Sequence, residues 1–429
     1  MKNLKLLTIF LAFVTIYSCE TTELNLTEDP SAVGLDEANR DFLFNAGQLG
    51  FNSFFQSMQG LTATVSRQEL MRNSPFYAAQ YQAGNFNGVW RTAYANCLIE
   101  LRASANAAID DDETDPTFVA NNYIAITQIL ESYVMLTLVD VFGDVPYSQA
   151  LGGLNGIIDP KRDSGEEIYA AVIDLLQESI ATIDPEGDTP ENDLFFNGDM
   201  SKWNALAHSL LLKAAVTSRI QNGNAAALAN SVINSGDYMT SNSQDFEFNY
   251  GNNPSNPDTR HPLFLNQYVG GASIYMSNAF LNRMTGDPRF NYYFYQQDGP
   301  GGFEGRDHGD AGPSVASEFS KITIHGLYPA GGQFNDGSTG AGNQFDGVRG
   351  AGASIIMTNA FTQFLIAEAE LVFNNNPGAA RIAYENGIQA SMDKVTTFRP
   401  QAVTSGSGAT TAEINAYITN ALTSYDAAG

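Results

Sequence analysis

The chain has 429 residues, of which 43% are hydrophobic and 11% aromatic, so it can bury a large core and is not globally disordered. Its formal net charge of −26 argues against binding nucleic acid through the phosphate backbone and against attraction to an anionic membrane surface. Two cysteines and four histidines are too few for a disulfide framework or a zinc finger. We therefore expect no cofactor, assign no metal ligand, and expect a neutral or cationic partner.

The N-terminal residues predict secretion followed by lipid anchoring. Lys2 and Lys5 precede an apolar run of eleven residues, which has the pattern of a signal peptide and is too short to cross a bilayer. A tyrosine, a serine and Cys19 follow, and a small residue directly before a cysteine here resembles a bacterial lipobox. We expect residues 1–18 to be removed, Cys19 to be diacylated, and residues 19–35 to form a solvated tether.

Residues 36–236 and 357–429 have the periodicity of amphipathic helices, with apolar residues at three- and four-residue spacing. Ser164 begins a capping box, Asp199 is an expected N-cap, and Asn376-Pro377 is a helix start signal. Because each helix is apolar on one face only, each must pack against a neighbour. The predicted helices are 36–58, 90–109, 117–141, one after Ser164, one after Asp199, 358–374, 377–394 and 411–425.

Residues 237–356 differ in composition from the helical parts. Fifteen of the 39 glycines fall between 299 and 352, and seven prolines interrupt the region, which predicts long loops with one helix near 274–285. Loops of this length inside a compact domain are usually functional. The predicted fold class is therefore all-α dominated, with helices in pairs as in an α-solenoid and a long loop-rich insertion.

One group of candidate binding residues is the segment NYYFYQQ at 291–297, which contains Tyr292, Tyr293 and Tyr295 beside three amides. Aromatic rings stack on the C–H faces of sugars, and amides bond to sugar hydroxyls, so the cluster is suited to a glycan. A packed base of a loop, with its hydroxyls turned to water, explains the same residues equally well.

A second group is Trp90, Tyr94 and Asn96 in the segment GVWRTAYAN at 88–96. Trp90 and Tyr94 are four residues apart, so they share one face of a helix near its start. They can serve as a core anchor or as an exposed aromatic platform, and the sequence leaves both interpretations open.

Motifs for catalysis are absent or weak. The chain has no phosphate-cradling loop, nucleophile elbow or zinc-protease helix motif. Glu368 and Glu370 are two residues apart on a predicted helix and face nearly opposite ways, so they are not the facing carboxylate pair of a glycosidase. The segment DHGD at 307–310 is more simply a solvated turn than a cation site, and His208 is more simply a structural residue of its helix.

Seven short segments of the sequence, taken together in their order along the chain, carry a resemblance to a known family. The most specific is DVFGDVPYSQAL at 140–151. The others are LNLTEDPS (24–31), GEEIY (165–169), KWNALAHSL (202–210), DPR (287–289), FLIAEAE (364–370) and YENGIQASM (384–392). Together they resemble the SusD/RagB family of outer-membrane nutrient-binding lipoproteins of the Bacteroidetes, in its SusD-like branch, where the first segment reads D-x-F-G-D-x-P-Y-S-x-A-L.

This resemblance implies a tetratricopeptide-like scaffold of helical pairs that carries a loop-rich binding face. It also implies a noncatalytic receptor that captures an oligosaccharide or another nutrient and sits as a lid on a SusC-type TonB-dependent transporter. Such a receptor is anchored in the outer membrane by its lipid alone and faces the cell exterior. Trp90 and Asn96 resemble an aromatic residue and an amide used near this position in some starch-binding members.

The helical periodicity and the loop-rich composition give the expected boundaries within the domain, and the resemblance names that domain. Residues 36–429 form a single SusD-like domain, with a helical scaffold at 36–236 and 357–429 and a loop-rich binding region at 237–356. Because the family normally continues with further C-terminal helices and a Tyr-Arg-Arg motif, we expect the sequence to be C-terminally incomplete.

Three alternatives stay open at this point. A receptor of the same architecture can bind peptides or another nutrient, since acidic side chains recognise cationic ligands. A surface-anchored glycoside hydrolase is disfavoured by the missing carboxylate pair, although two acids distant in sequence can meet in a fold. A purely structural solenoid would bind no small ligand.

Overall fold

The computed structural model describes residues 39–71, 83–272, 274–297, 302–307, 322–337 and 347–428. The predicted signal peptide, Cys19, the tether and His308 lie outside the described residues.

Helices dominate the described residues, as the sequence predicts, and the all-α-dominated fold class is confirmed. The helices are α1 (Arg40–Val65), α2 (Asn87–Ala93), α3 (Ile99–Thr114), α4 (Asn121–Phe142), α5 (Gly165–Thr182), α6 (Met200–Ser218), α7 (Ala225–Ser235), α8 (Pro262–Phe264), α9 (Asn278–Met284), α10 (Phe290–Tyr293), α11 (Asn359–Val372), α12 (Pro377–Thr396) and α13 (Thr411–Ala427).

The long helices pack in pairs. Helix α1 packs on α3, α4 on α5, α6 on α7, and α11 on α12, and α11 also contacts α6. One apolar core runs through this scaffold, with Phe51, Tyr133 and Trp203 among its largest side chains. Each helix thus buries its apolar face against a neighbour, as an amphipathic helix requires.

The helix starts follow the capping signals in the sequence. Ser164 and Glu167 form the predicted capping box at the start of α5. The Asp199 side chain accepts from the backbone N–H groups of Ser201 and Lys202 at the start of α6. The predicted caps are therefore confirmed, because short polar side chains satisfy the N–H groups that a helix leaves free at its N-terminus.

The predicted helix at 90–109 consists of three parts. Helix α2 is followed by a π-helical turn, Tyr94–Leu98, and then by α3. This turn lies directly against Gly50 of α1, where a Cβ atom would be 1.8 Å from the carbonyl oxygen of Asn96. Only a glycine allows α1 to approach the turn so closely.

Helix α4 is long and apolar enough to cross a membrane, with a mean hydropathy of 1.5 in its most apolar window. However, 67% of that window is buried inside the protein. Helix α4 is thus the central helix of the scaffold, which explains why it is apolar on nearly all sides.

Within the described residues the strands form three two-stranded antiparallel sheets, of which the first joins the segment after α1 to the loop-rich region. Strand β1 follows α1 and pairs with β3, β2 pairs with β6, which leads into α11, and β4 pairs with β5. The strands are β1 (Glu69–Met71), β2 (Phe246–Asn249), β3 (Ile274–Met276), β4 (Phe294–Gln296), β5 (Thr323–His325) and β6 (Ala353–Met357).

The predicted helix near 274–285 is wrong in its first part. Residues Ile274–Met276 form strand β3, and the helix begins only at Asn278. The reason is the pairing of β3 with β1, in which Met276 lies opposite Glu69. A local helical pattern cannot reveal a partner strand that is about 200 residues away in the sequence.

Candidate functional site

A cleft of about 470 Å³ opens where the helical scaffold meets the loop-rich region. The scaffold side consists of the last turns of α1, the first turn of α11 and the second half of α12. The opposite side is formed by Glu69 of β1, Met276 of β3, α9, the junction of α10 with β4, and His325 of β5. The cleft therefore combines rigid helices with side chains that the small sheets hold in place.

Aromatic rings occupy both sides of the cleft. Phe361 in the first turn of α11 is 46% exposed at the cleft, which is unusual for a phenylalanine on a packed helix. Across from it lie Phe280, Phe294 and Tyr293. The Tyr293 ring stands edge-to-face on Tyr328 with centroids 5.4 Å apart. Burial raises the pKa of the Tyr293 phenol, so its hydroxyl keeps its proton.

The rim of the cleft is polar. The opening is lined by the exposed side chains of Gln59 and Thr62 of α1 and of Ser66 and Gln68 after it. Amides and hydroxyls can both donate and accept hydrogen bonds, so they match sugar hydroxyls without requiring a charge on the ligand.

A contact between a carboxylate and a histidine joins the loop-rich side of the cleft to the strand that follows α1. His325 Nε2 lies 2.9 Å from Glu69 Oε1, and both side chains are mostly buried. Glu69 follows the scaffold helix α1 and His325 belongs to the sheet of β4 and β5. The pair thus fixes the loop-rich side of the cleft to the end of α1.

A second charged group lies at the base of the cleft. Lys394 Nζ is 3.1 Å from Asp245 Oδ2 and 2.5 Å from Glu247 Oε2. Asp245 also accepts from the backbone N–H of Asn359 at 2.8 Å, at the start of α11. One ammonium therefore serves two carboxylates.

The pKa values of these groups reflect their burial and their neighbours. Burial raises the pKa of Asp245 and outweighs the attraction of Lys394 and the bond from Asn359. Burial alone would lower the pKa of Lys394, but Glu247 and Asp245 raise it, so the ammonium stays charged. The pKa of Asp245 thus rises because the carboxyl group is buried, and that of Lys394 rises because two carboxylates lie beside it.

The DPR segment braces the base of the cleft from outside. Arg289 binds Asp287 through two nitrogens, with Nε–Oδ1 at 2.9 Å and Nη2–Oδ2 at 2.6 Å. Its remaining Nη1 donates to Ser391 Oγ at 2.6 Å, and Ser391 lines the cleft. Asp287 thus neutralises the charge of Arg289, and the bond from Arg289 to Ser391 helps to position α12.

Of the three predicted tyrosines at 291–297, Tyr293 alone lines the cleft. Tyr292 is 2% exposed, packs on Phe334, and its hydroxyl accepts from the Ala409 N–H at 3.3 Å. Tyr295 is 6% exposed within the small core around β5. Tyr292 and Tyr295 thus belong to the packed base of the loop region and do not line the cleft.

The second predicted group forms a partly exposed aromatic surface. The rings of Trp90 and Tyr94 are nearly parallel, at 9° and 5.7 Å, and Trp90 also contacts Phe142 at 5.0 Å. The Tyr94 hydroxyl donates to the Pro146 carbonyl at 2.6 Å. Asn96 is exposed. Trp90 and Tyr94 are half-buried, so they combine the two roles that the sequence left open.

The segment at 140–151 has a structural role in the described residues. Asp140 accepts from Lys213 of α6 and from the Tyr169 hydroxyl of α5. Gly143 ends α4 with a φ of 77°, a conformation that favours glycine. The next turn is held by Asp163, which accepts from the Ser148 N–H at 2.8 Å. The motif therefore joins three scaffold helices rather than contacting the cleft.

The remaining candidates lie apart from the cleft lining. Glu368 pairs with Arg219 at 3.2 Å, whereas Glu370 is buried and bonds to Asn374. His208 Nδ1 lies 3.0 Å from the Asn204 carbonyl oxygen within α6. Among the described residues no group of three or more His, Cys, Asp or Glu side chains can hold a metal ion.

Sequence reasoning missed Phe361, Lys394 and Asp245 as residues of the cleft. A signal for Phe361 exists, because α11 buries the polar residues Thr362 and Gln363 while Phe361 is exposed. An aromatic residue on the solvent side of an amphipathic helix indicates a surface with a partner or ligand. Lys394 and Asp245 have no comparable signal, since 149 positions separate them in the sequence.

The paired helices define a tetratricopeptide-like fold. The chain belongs to the SusD-like family: residues 35–429 match the family described as starch-binding and associating with the outer membrane. The expected family membership is thus confirmed, and members of this family are associated with the outer membrane.

Solved structures of other proteins share this fold. A SusD/RagB family protein from Bacteroides thetaiotaomicron is 19% identical with a TM-score of 0.71, over 91% of this chain and 81% of that one. A chitin-binding protein is 21% identical with a TM-score of 0.68, over 89% and 79%. A chitin-binding SusD homolog from Flavobacterium johnsoniae is 21% identical with a TM-score of 0.61, over 86% and 72%. At these identities the likeness shows the fold. No curated protein sequence matches the chain.

Proposed function

We propose that this protein binds an oligosaccharide in the cleft at the junction of scaffold and loop-rich region and does not cleave it. The observation that carries the proposal is the lining of the cleft, which combines exposed amides and hydroxyls with the exposed ring of Phe361. Rings that stack on sugar faces and side chains that bond to hydroxyls are what a saccharide requires.

The size of the cleft fits this role. About 470 Å³ lies within the range of roughly 300–1,000 Å³ that is usual for small-ligand sites. An open cleft of this kind holds a short stretch of a glycan chain. We expect weak binding, with a Kd of about micromolar to millimolar, because a ligand that is passed on must also be released.

Two features of the cleft support binding without catalysis. A glycosidase needs two carboxylates on either side of the bond that it cleaves. The Glu69 carboxylate is held by His325, and the Asp245 carboxylate is held by Lys394 and by the backbone of Asn359. These carboxylates are engaged in holding the walls of the cleft together.

The aromatic surface of Trp90, Tyr94 and Asn96 is the second place that we propose for ligand contact. The half-exposed ring of Trp90 and the exposed amide of Asn96 provide a stacking face and a hydrogen-bonding group. Tyr293 of the cleft completes the set of predicted residues that we retain for binding.

The wider role follows from the family. We propose that the protein is held in the outer membrane through acylated Cys19, faces the exterior, and delivers its ligand to a SusC-type TonB-dependent transporter. In this proposal, residues 36–236 and 357–429 are the scaffold and residues 237–356 the binding region. Labelled palmitate should enter the wild type and a Cys97→Ala variant but not Cys19→Ser; label retained by Cys19→Ser would contradict the anchor.

Calorimetry with a panel of neutral, amino and acidic oligosaccharides and of peptides tests the function. We expect heat of binding from at least one saccharide, with no new reducing ends after prolonged incubation. If only peptides bind, the ligand is a peptide and the proposed saccharide ligand is wrong. Reducing ends whose release is abolished by Asp245→Asn would show an enzyme instead.

A further inference from the structure

Among the described residues, the groups in and directly behind the cleft lining carry more negative than positive charge. Glu69 and Asp245 line the cleft, and Glu247 lies behind Lys394, so that three carboxylates stand against two cationic side chains, Lys394 and His325. His325 is cationic only when it is protonated. Within the part of the chain that the structure describes, Asp245 and Glu247 therefore share one counterion, Lys394, at the base of the cleft.

The two cationic side chains are already engaged. Among the described residues that line the cleft, Lys394 and His325 are the cationic ones, and each lies within 3.1 Å of a carboxylate. Arg289, which reaches the cleft only through Ser391, is bound to Asp287 by two nitrogens. To gain a cationic partner, an acidic ligand would have to break one of these pairs and leave a buried carboxylate without its own partner.

The carboxylates at the base of the cleft are buried beside Lys394. The Asp245 side chain is only 2% exposed and that of Glu247 is 16% exposed. Solvent screens their negative charge little, because buried charges interact through a medium of low dielectric constant. An acidic group that enters the cleft would therefore be repelled, whereas a neutral hydroxyl would not.

We infer that the cleft selects saccharides without acidic groups and rejects uronate- and sulfate-bearing glycans. This inference rests on the proposed function and adds the class of saccharide to it. The selection is made by the local surplus of Asp245 and Glu247 over Lys394, in addition to the overall negative charge of the chain.

Matched pairs of oligosaccharides test the inference. The probes are starch-, cellulose- and chitin-type oligomers, together with counterparts whose primary hydroxyls are oxidised to carboxylates. For each neutral oligomer that binds, we expect its oxidised counterpart to bind at least about tenfold more weakly in calorimetry at physiological salt. An oxidised counterpart that binds as tightly as its parent would overturn the inference and leave the proposed function intact.

The variant Glu247→Gln removes the surplus charge and leaves the pair of Lys394 with Asp245. This variant should reduce the ratio of the affinities for neutral and oxidised oligomers by about threefold or more. Its affinity for neutral oligomers should stay within about twofold of that of the wild type. The control is Glu178→Gln on the exposed side of α5, which changes the net charge equally and should change neither value. Equal effects of the two variants would show that the overall charge, not the cleft, discriminates. If no oligomer binds at all, the proposed function fails and this inference with it.

Discussion

One side-chain oxygen of Gln267 holds both the backbone and the ring of His325. Gln267 Oε1 accepts from the backbone N–H of His325 at 2.7 Å and lies 3.1 Å from its ring Nδ1. A backbone N–H can only donate, so the amide orientation is fixed and Nδ1 must carry a hydrogen. The other ring nitrogen, Nε2, lies 2.9 Å from Glu69 Oε1, so each nitrogen of the ring is held by a different side chain.

The pair of Glu69 and His325 is expected to stabilise the folded protein. Glu69→Gln keeps the size of the side chain but removes its charge, and should lower the free energy of unfolding by about 1–2 kcal/mol. Urea denaturation measures the change, with Glu178→Gln as a control that should stay within about 0.5 kcal/mol of the wild type. Equal stability of Glu69→Gln and the wild type would show that the contact contributes nothing.

Two glycines of α1 should respond to alanine in opposite ways. A Cβ at Gly50 would be 1.8 Å from the Asn96 carbonyl oxygen, whereas nothing lies within 4 Å of a Cβ at Gly60. Gly50→Ala should therefore destabilise the protein by about 3 kcal/mol, because backbone must move. Gly60→Ala should stabilise it by up to about 1 kcal/mol through helix propensity. Thermal unfolding of both variants checks this, and a tolerated Gly50→Ala would refute the close approach.

Asp163 should make stability depend on pH. Burial raises the pKa of Asp163, but the bonds from Lys161, Ser148 and Tyr147 together hold it well below its usual range. The pKa of Asp163 in the folded protein is thus below its unfolded value of about 3.9. The charged side chain therefore stabilises the fold fully above about pH 4, and this stabilisation is lost as the pH falls from there through the folded pKa.

The variant Asp163→Asn measures this contribution. The substitution should lower the free energy of unfolding by about 2 kcal/mol at neutral pH. The reason is that the NH2 group of asparagine can only donate and would face groups that also donate. Denaturation at several pH values should show that the difference from the wild type shrinks below about pH 4. A difference that is constant with pH would mean that the charge of Asp163 is not responsible.

Tryptophan fluorescence should report ligand contact at the Trp90 surface. The chain has two tryptophans, and Trp203 is fully buried with its Nε1–H donated to Asp193 at 2.8 Å. If a saccharide stacks on Trp90, it should change the emission of the wild type but not that of Trp90→Phe. A change that persists in Trp90→Phe, or no change in the wild type under saturating ligand, would remove Trp90 from the binding surface.

Much of the scaffold was predictable because its signals are local. The capping box at Ser164, the cap at Asp199 and the three- and four-residue spacing of apolar residues act within one helix. The strands were not predictable in this way. Ile274–Met276 reads as helix in isolation and becomes a strand only through its pairing with β1.

The site was predictable only in part, for a related reason. The segment at 291–297, which is rich in aromatic residues and amides, pointed to Tyr293. Tyr292 and Tyr295 of the same segment are buried by tertiary contacts, Tyr292 against Phe334 and Tyr295 in the small core around β5. Lys394 comes from α12 and Asp245 from the residue before β2, and only the tertiary fold brings them together. Charges that balance across a fold leave no pattern in the sequence.

The most direct measurement of the central claim compares two exposed phenylalanines by calorimetry. Phe361 lines the cleft and is 46% exposed, whereas Phe42 of α1 is 76% exposed and does not line it. With the tightest-binding oligosaccharide, Phe361→Ala should weaken the affinity by about tenfold, because the loss of a stacking ring costs roughly 1–2 kcal/mol of binding free energy. The affinity of Phe42→Ala should equal that of the wild type. Equal affinities of all three proteins, each shown to be folded, would contradict binding in the cleft.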